Sequence, residues 1–191
     1  MHCNVGDVYS ASHLYHTKSL QDISEIIANC ASTHWADRKD GLIGLQSYFR
    51  DGRMLSASEL KRVTDIFTRM FMDAHTKVFS LFLETLSELV SSHKVNINHL
   101  SRAFHYENNP STPQADMYDW LYILLTRLLN KLGADLLGSV VQKINRTLDV
   151  VRESFRYEEQ LLVIMKFLID QTQTPNTKVR NSFSYKIPLL L

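Results

Sequence analysis

Helix-start signals recur along this chain about every 40 residues, and that spacing limits the fold more than any other feature. Apolar residues fall on helical stripes nearly throughout. Leu20, Ile23, Ile26, Ile27 and Cys30 make one stripe, and Leu60, Val63, Ile66, Phe67, Met70 and Phe71 make a second. Leu137, Val141, Ile144, Leu148 and Val151 make a third, at steps of four and three. Ser56 with Glu59 reads as a capping box, and Thr174 before Pro175 as an N-cap followed by proline at the first helical position. Helices are therefore expected near 19–31, 35–50, 57–72, 75–93, 117–132, 136–154, 157–170 and from 175 onward. Only "SFSYKI" at 182–187 alternates like a strand, and a lone strand has no partner.

These helices pair across short turns at 32–35, 73–75, 133–135 and 171–174. The second helices begin near 35, 75, 136 and 175, at spacings of 40, 61 and 39. The long interval contains "NINHLSRAFHYENNPSTPQAD", residues 96–116, a polar stretch of 21 residues without helical period; excising it restores a spacing of 40. Helix pairs repeating at this length are the signature of an all-α HEAT-repeat solenoid. In such a stack the turns within pairs share one edge. Trp35, "MDAHTK" (72–77), "LGADLL" (132–137) and "QTPNTKVR" (173–180) are expected there, with the 96–116 insertion on the opposite edge. A row of short rigid turns is a protein-binding surface rather than an enclosed pocket for chemistry.

Composition narrows the function classes. A net charge of +1, from 21 basic and 20 acidic residues, gives no bulk attraction to a polyanion or a membrane surface. The apolar runs are short, as in "LYILL" at 121–125, so no helix is expected to cross a bilayer. The start "MHCNVGDVYSASHLYHTKS" lacks a basic lead and an apolar stretch, so no secretory signal is expected. Cys3 and Cys30 fit neither a metal pattern nor a disulfide framework, which suits a reduced, cytosolic compartment. His13 and His16 have a ligand-like spacing but no third ligand. Phosphate-binding glycine loops, nucleophile elbows and kinase motifs are missing from the sequence, so neither an enzyme nor a cofactor is expected. "NRT" at 145–147 falls on an expected helix, and the "STP" and "QTP" triplets are short enough to arise by chance.

Single residues divide by context. Trp120 lies inside "WLYILL" and reads as core, whereas Gly41 and Gly44 read as points of close helix packing. At least one of Arg38 and Lys39 is expected to pair with Asp37 or Asp40 within its own helix turn. Trp35 stands at the lip of its helix rather than within a stripe. On the residues alone, its role is open between stapling its own repeat and anchoring a partner.

The stretch "HWADRKDGLIGLQSYFRDGRMLSASELKRVTDIFTRMFMDAHTKVFSLFLETL" resembles the start of a TOG domain, and more narrowly the last TOG domain of the CLASPs, the cytoplasmic linker-associated (Orbit/Mast) proteins. "DWLYILLTRLLNKLGADLLGSVVQKINRTLDVVRESF" and "VIMKFLIDQTQTPNTKV" continue the match, so the resemblance covers roughly 30–95 and 119–179. The first eighteen residues and the 96–116 insertion have no counterpart. A TOG domain has six HEAT repeats, of which this chain holds about three and a half before its "RNSFSYKIPLLL" ending. The expected organisation is a disordered segment at 1–18, a partial TOG domain at 19–180 and a divergent tail at 181–191, with the last repeat frayed.

The resemblance implies tubulin binding through the intra-pair turns and a role in microtubule dynamics at plus ends, spindles and kinetochores. It implies a location in the cytoplasm and cytoskeleton. Trp35 matches the first-turn tryptophan that packs on tubulin; Lys77, Lys178 and Arg180 match basic or polar positions facing tubulin's acidic surface. His75 and Thr76 stand beside Lys77 as hydrogen-bonding neighbours. Plus-end-tracking or kinetochore proteins are further implied partners, whereas nucleic acid, membrane insertion and metal are not expected. The alternative is a general HEAT scaffold for a non-tubulin partner.

Overall fold

A computed structural model describes residues 22–93, 113–135 and 137–170 of the chain. They form α1 (Ile23–Cys30), α2 (Trp35–Arg50), α3 (Ala57–Met70), α4 (Thr76–Ser92), α5 (Pro113–Ala134), α6 (Gly138–Ser154) and α7 (Tyr157–Ile169), and among the described residues there is no strand. The helices make two rows. α1, α3, α5 and α7 lie in one row and α2, α4 and α6 in the other, with α2 against α4 and α4 against α6 as extensive contacts. Each pair thus leans on its neighbours, as an all-α helical-repeat solenoid requires.

Local sequence explains most of the boundaries. Ser56 Oγ accepts the Glu59 N–H while the Glu59 carboxylate accepts the Ser56 N–H at 2.7 Å, so the capping box opens α3. The Ser56 hydroxyl, which also donates to the Glu59 carboxylate at 2.7 Å, and then the Ser56 N–H hold that carboxyl below its ordinary range. Gly41 permits the closest approach: a Cβ there would stand 2.5 Å from the Cys30 backbone nitrogen, so α1 and α2 meet through a missing side chain. Cys30 is buried behind it, and desolvation pushes its thiol up to about 12, which leaves it an apolar filler.

α5 departs from expectation. It begins at Pro113, so residues 113–116, read from composition as part of the polar insertion, form its first turn. Pro113 stands at the first helical position, where its fixed φ suits a helix start, and that local signal outweighs polarity. α5 also runs on to Ala134, which moves the third turn to residues 135–137. Residues 94–112, the first 21 residues, the helix expected from 175 and the "SFSYKI" segment lie outside the described residues.

One continuous apolar core runs from Ile26 on α1 to Val163 on α7. Phe82 stands at its centre, edge-on to Phe67 at 5.2 Å and to Phe71 at 4.9 Å. Trp120 is buried beside Phe155, as its apolar context implies. At the α6–α7 corner, the Gln160 amide donates to the carbonyls of Arg152 (3.1 Å) and Phe155 (2.7 Å), satisfying oxygens that the end of α6 leaves free. On α7, Ile164 and Leu168 pack beside Phe167 and Leu129, whereas Leu161, Leu162, Met165 and Ile169 are exposed.

The turns within pairs are built alike. In the first, Ser32 Oγ accepts the His34 N–H at 3.1 Å; in the second, Asp73 Oδ1 accepts the His75 N–H at 2.8 Å; in the third, Asp135 Oδ1 accepts the Leu137 N–H at 3.0 Å. The acceptor always lies two residues before the residue that caps the second helix. This side-chain-to-backbone turn needs only a short polar residue, so it recurs although the sequences "STHW", "DAHT" and "DLLG" differ.

On the opposite edge, His93 closes the end of α4. Its Nε2 accepts the Leu55 N–H at 3.2 Å, and Nδ1 lies 2.8 Å from Ser92 Oγ and 3.1 Å from the Leu89 carbonyl oxygen. The ring is therefore neutral with its proton on Nδ1, and desolvation depresses its pKa below the ordinary 6.5. A depressed folded-state value means that the stability His93 contributes is present above about pH 6.5 and is lost as pH falls through the lowered value. The melting temperature should drop between pH 7.5 and 5.5, and His93→Gln, which keeps an acceptor for Leu55, should flatten that drop. Thermal melts of both proteins across this range provide the check.

Candidate functional site

The edge carrying these turns brings together residues 35 to 40 positions apart in sequence. Trp35 is the first residue of α2 and is 45% exposed although large and apolar. Its ring lies flat on that of His75 from the second turn, with centroids 4.3 Å apart and planes within 5°. The ammonium of Lys39, one helical turn along α2, lies 6.0 Å from the Trp35 centroid and pairs with Asp40 at 3.2 Å.

Arg38 is the hub beneath them. Its Nε and Nη2 donate to the two carboxylate oxygens of Asp73 at 2.7 and 3.0 Å, and its Nη1 donates to the carbonyls of Ser32 (3.2 Å) and Thr33 (2.8 Å). The Asp73 side chain is only 4% exposed and also accepts the His75 N–H. One guanidinium thus joins the first turn, the start of α2 and the second turn. Lys39 pairs locally, as the residues imply; Arg38 pairs instead with a residue of the next repeat. That pairing follows from the lateral packing of α2 on α4 and has no signal in the helix's own sequence.

Thr76 and Lys77 are exposed on the first turn of α4. Lys178 and Arg180 lie outside the described residues. Two apolar residues of the expected turns, each also falling within an expected helix or stripe, are exposed on this edge. Met72, read as the end of its helix, is exposed in the second turn. Leu137, read as the first residue of a buried stripe, is the N-cap residue of α6 and is exposed. It sits one position before the helix proper, so its side chain leaves the buried face that Ile144 and Val151 occupy.

The edge has a consistent electrostatic character. The N-cap residues of α2, α4 and α6, His34, His75 and Leu137, make no side-chain cap hydrogen bond. On the opposite edge, α1 and α3 are capped by Asp22 and by the Ser56–Glu59 box, and α7, whose N-cap residue Arg156 makes no such bond, has Glu158 and Glu159 in its first turn. The first turns of α4 and α6 also contain no acidic residue. Their free N–H groups present partial positive charge, which favours an anionic surface opposite. An open recess of about 310 Å³ lies between the first two turns, with Cys30, Ser32, Arg38, Arg69, Met70 and Asp73 among its walls. Arg38 and Asp73 neutralise each other there, which leaves the exposed Arg69 as a positive charge on the rim. Among the described residues, no group of three His, Cys, Asp or Glu side chains could hold a metal ion, and no helix is long and apolar enough to cross a membrane.

The chain is 47% identical over 167 residues to CLIP-associating protein 1-B of Xenopus laevis, a match that covers 87% of this chain and 10% of that protein. It is 48% identical over 161 residues to the CLIP-associating protein of Drosophila melanogaster, covering 84% of this chain and 10% of that one. The chain belongs to the CLIP-associating protein family. A more distant relative, Protein CLASP-1 of Caenorhabditis briggsae, is 24% identical over 168 residues, covering 88% of this chain and 11% of its own. The chain spans about a tenth of the length of the curated relatives it matches. No protein-family model matches it.

In this CLASP-family chain the Arg38–Asp73 pair should be the most sensitive point of the edge. Arg38→Ala leaves a nearly buried carboxylate without its partner, which should lower the unfolding free energy by about 3 kcal/mol. Asp73→Asn introduced on top of Arg38→Ala should recover part of that loss, because it removes the stranded charge. Urea denaturation of the single and double variants measures both effects.

Proposed function

We propose that this chain is a tubulin-binding TOG-like module that acts in the regulation of microtubule dynamics, and that its binding surface is the edge of intra-pair turns. The observation that carries the reading is Trp35, a large aromatic left 45% exposed at the start of α2 and held against His75. Exposed aromatics fixed on a rigid frame are the usual hot spots of protein interfaces. Lys77 and the uncapped ends of α4 and α6 add positive potential suited to tubulin's acidic surface. Kinship with CLIP-associating proteins supports the same role.

In this reading Trp35 is the anchor, and Thr76, Lys77, Lys178 and Arg180 are polar or basic contacts along the same edge. Residues 19–180 then form one binding unit with the polar stretch after α4 on the far side. The module acts in the cytoplasm on the microtubule cytoskeleton, at plus ends, spindle and kinetochores, as a binding protein rather than an enzyme.

Gel filtration with free tubulin and co-pelleting with taxol-stabilised microtubules test the reading directly. Trp35→Ala should weaken binding by about 2 kcal/mol, the scale of an interface hot spot, with little change in melting temperature. Unchanged affinity with a large loss of stability would make Trp35 a staple of its own repeat. A general HEAT scaffold for another protein would bind neither tubulin nor microtubules.

The charge on the edge can be tested separately. Reversal of Lys77 and Lys178 together to Glu should reduce binding more at low than at high ionic strength, because exposed charges beyond about 10 Å are screened at 0.1 M salt. Titrations of the variant and the parent at two salt concentrations measure this, and an equal loss at both would reject the electrostatic contribution.

A further inference from the structure

We propose that His75 is a positioning residue for Trp35, holding the indole in its binding pose from the neighbouring repeat rather than contacting the partner through a hydrogen bond. This rests on Trp35 being the anchor proposed above.

The geometry around His75 is a closed circuit. Its backbone N–H is held at 2.8 Å by Asp73, Asp73 is held by Nε and Nη2 of Arg38, and Arg38 lies one helical turn beyond Trp35 on α2. The imidazole returns to the start of this circuit by stacking on Trp35 at 4.3 Å. Among the described residues, its buried Nδ1 has no hydrogen-bond partner. The ring therefore acts through its face. An interplanar angle of 5° over a 4.3 Å separation is a full stack and not an incidental edge contact.

The stack matters because of where Trp35 stands. As the first residue of α2 with 45% of its surface exposed, it lacks a surrounding core to select its rotamer. An unrestrained indole would have to be ordered when a partner binds, and ordering a side chain opposes association. His75 meets that requirement before binding, using a residue whose own position is set by a buried ion pair. The edge is then preorganised across two repeats: the anchor belongs to the first turn and its brace to the second.

The test uses the full chain with Trp120→Phe, so that Trp35 is its only indole. In the free protein, acrylamide should quench Trp35 fluorescence more strongly in His75→Ala than in the parent, and His75→Phe, which keeps a flat ring, should restore the protection. Affinity for the free tubulin heterodimer should fall about fivefold in His75→Ala, the scale of one aromatic pair, and return to within about twofold in His75→Phe. Combined with Trp35→Ala, His75→Ala should have no further effect, because the side chain it positions is gone.

Equal quenching in the parent and His75→Ala would overturn the inference. So would a His75→Phe that binds as weakly as His75→Ala, or a loss in His75→Ala that persists without Trp35; each would make the ring nitrogen a direct contact. The two readings fail separately. Trp35→Ala binding as tightly as the parent removes the anchor, whereas weak binding by Trp35→Ala with full affinity in His75→Ala removes only the positioning role.

Discussion

A pair of helices from this chain has more apolar surface than the two helices can cover for each other, and the whole arrangement follows from that constraint. α4 shows it most plainly. Val78, Phe79, Phe82, Leu83, Leu86, Leu89 and Val90 are all buried, more than one helical face can supply to a single neighbour. The helix is therefore sandwiched between α2 and α6 within its own row while also meeting α3. Stacking the pairs is the only way to bury such a helix, and it places the turns along a common edge.

Polar links then support the lateral offset between neighbours. Arg50 of α2 meets Glu88 of α4 at 2.5 Å, and Lys143 of α6 meets Glu84 of α4 at 2.6 Å. Between these exposed pairs, Thr147 of α6 donates to the Leu83 carbonyl at 3.3 Å and Ser87 reaches the Thr147 hydroxyl at 3.1 Å. The exposed pairs contribute little free energy each, and each hydroxyl also reaches a carbonyl of its own helix, Thr147 to Lys143 and Ser87 to Leu83, both at 3.0 Å. Apolar burial thus supplies the cohesion, and these polar contacts add to the alignment it sets.

At the turn edge the same logic produces a surface. Arg38 satisfies two carbonyls and a nearly buried carboxylate at once, so the first and second turns behave as one piece. The exposed residues mounted on that piece, Trp35, Met72 and Thr76 among them, keep fixed relative positions without being buried. A binding surface of this kind asks little of any one residue's local sequence. It needs a rigid frame below and freedom from internal partners above.

The same distinction separates what the sequence by itself determined from what only the tertiary structure decided. The helical stripes, the Ser56–Glu59 box, the burial of Trp120, the tight packing at Gly41 and the exposed place of Trp35 at a helix start were legible because each depends on residues within a few positions of one another, where helical geometry dictates who meets whom. The spacing near 40 residues carried the stacking of pairs, since a repeat is itself a regularity of sequence. Where two local signals compete, as polarity against Pro113, the start of α5 lies several residues from its expected place. Leu137 falls both in a helical stripe and in an expected turn, because periodicity does not report which residue caps the helix. The Arg38–Asp73 pair and the Trp35–His75 stack, spanning 35 and 40 positions, belong to the tertiary structure alone. Their partners are chosen by how far one helix slides past the next, a quantity summed over every contact in the row and written in no single stretch of the chain.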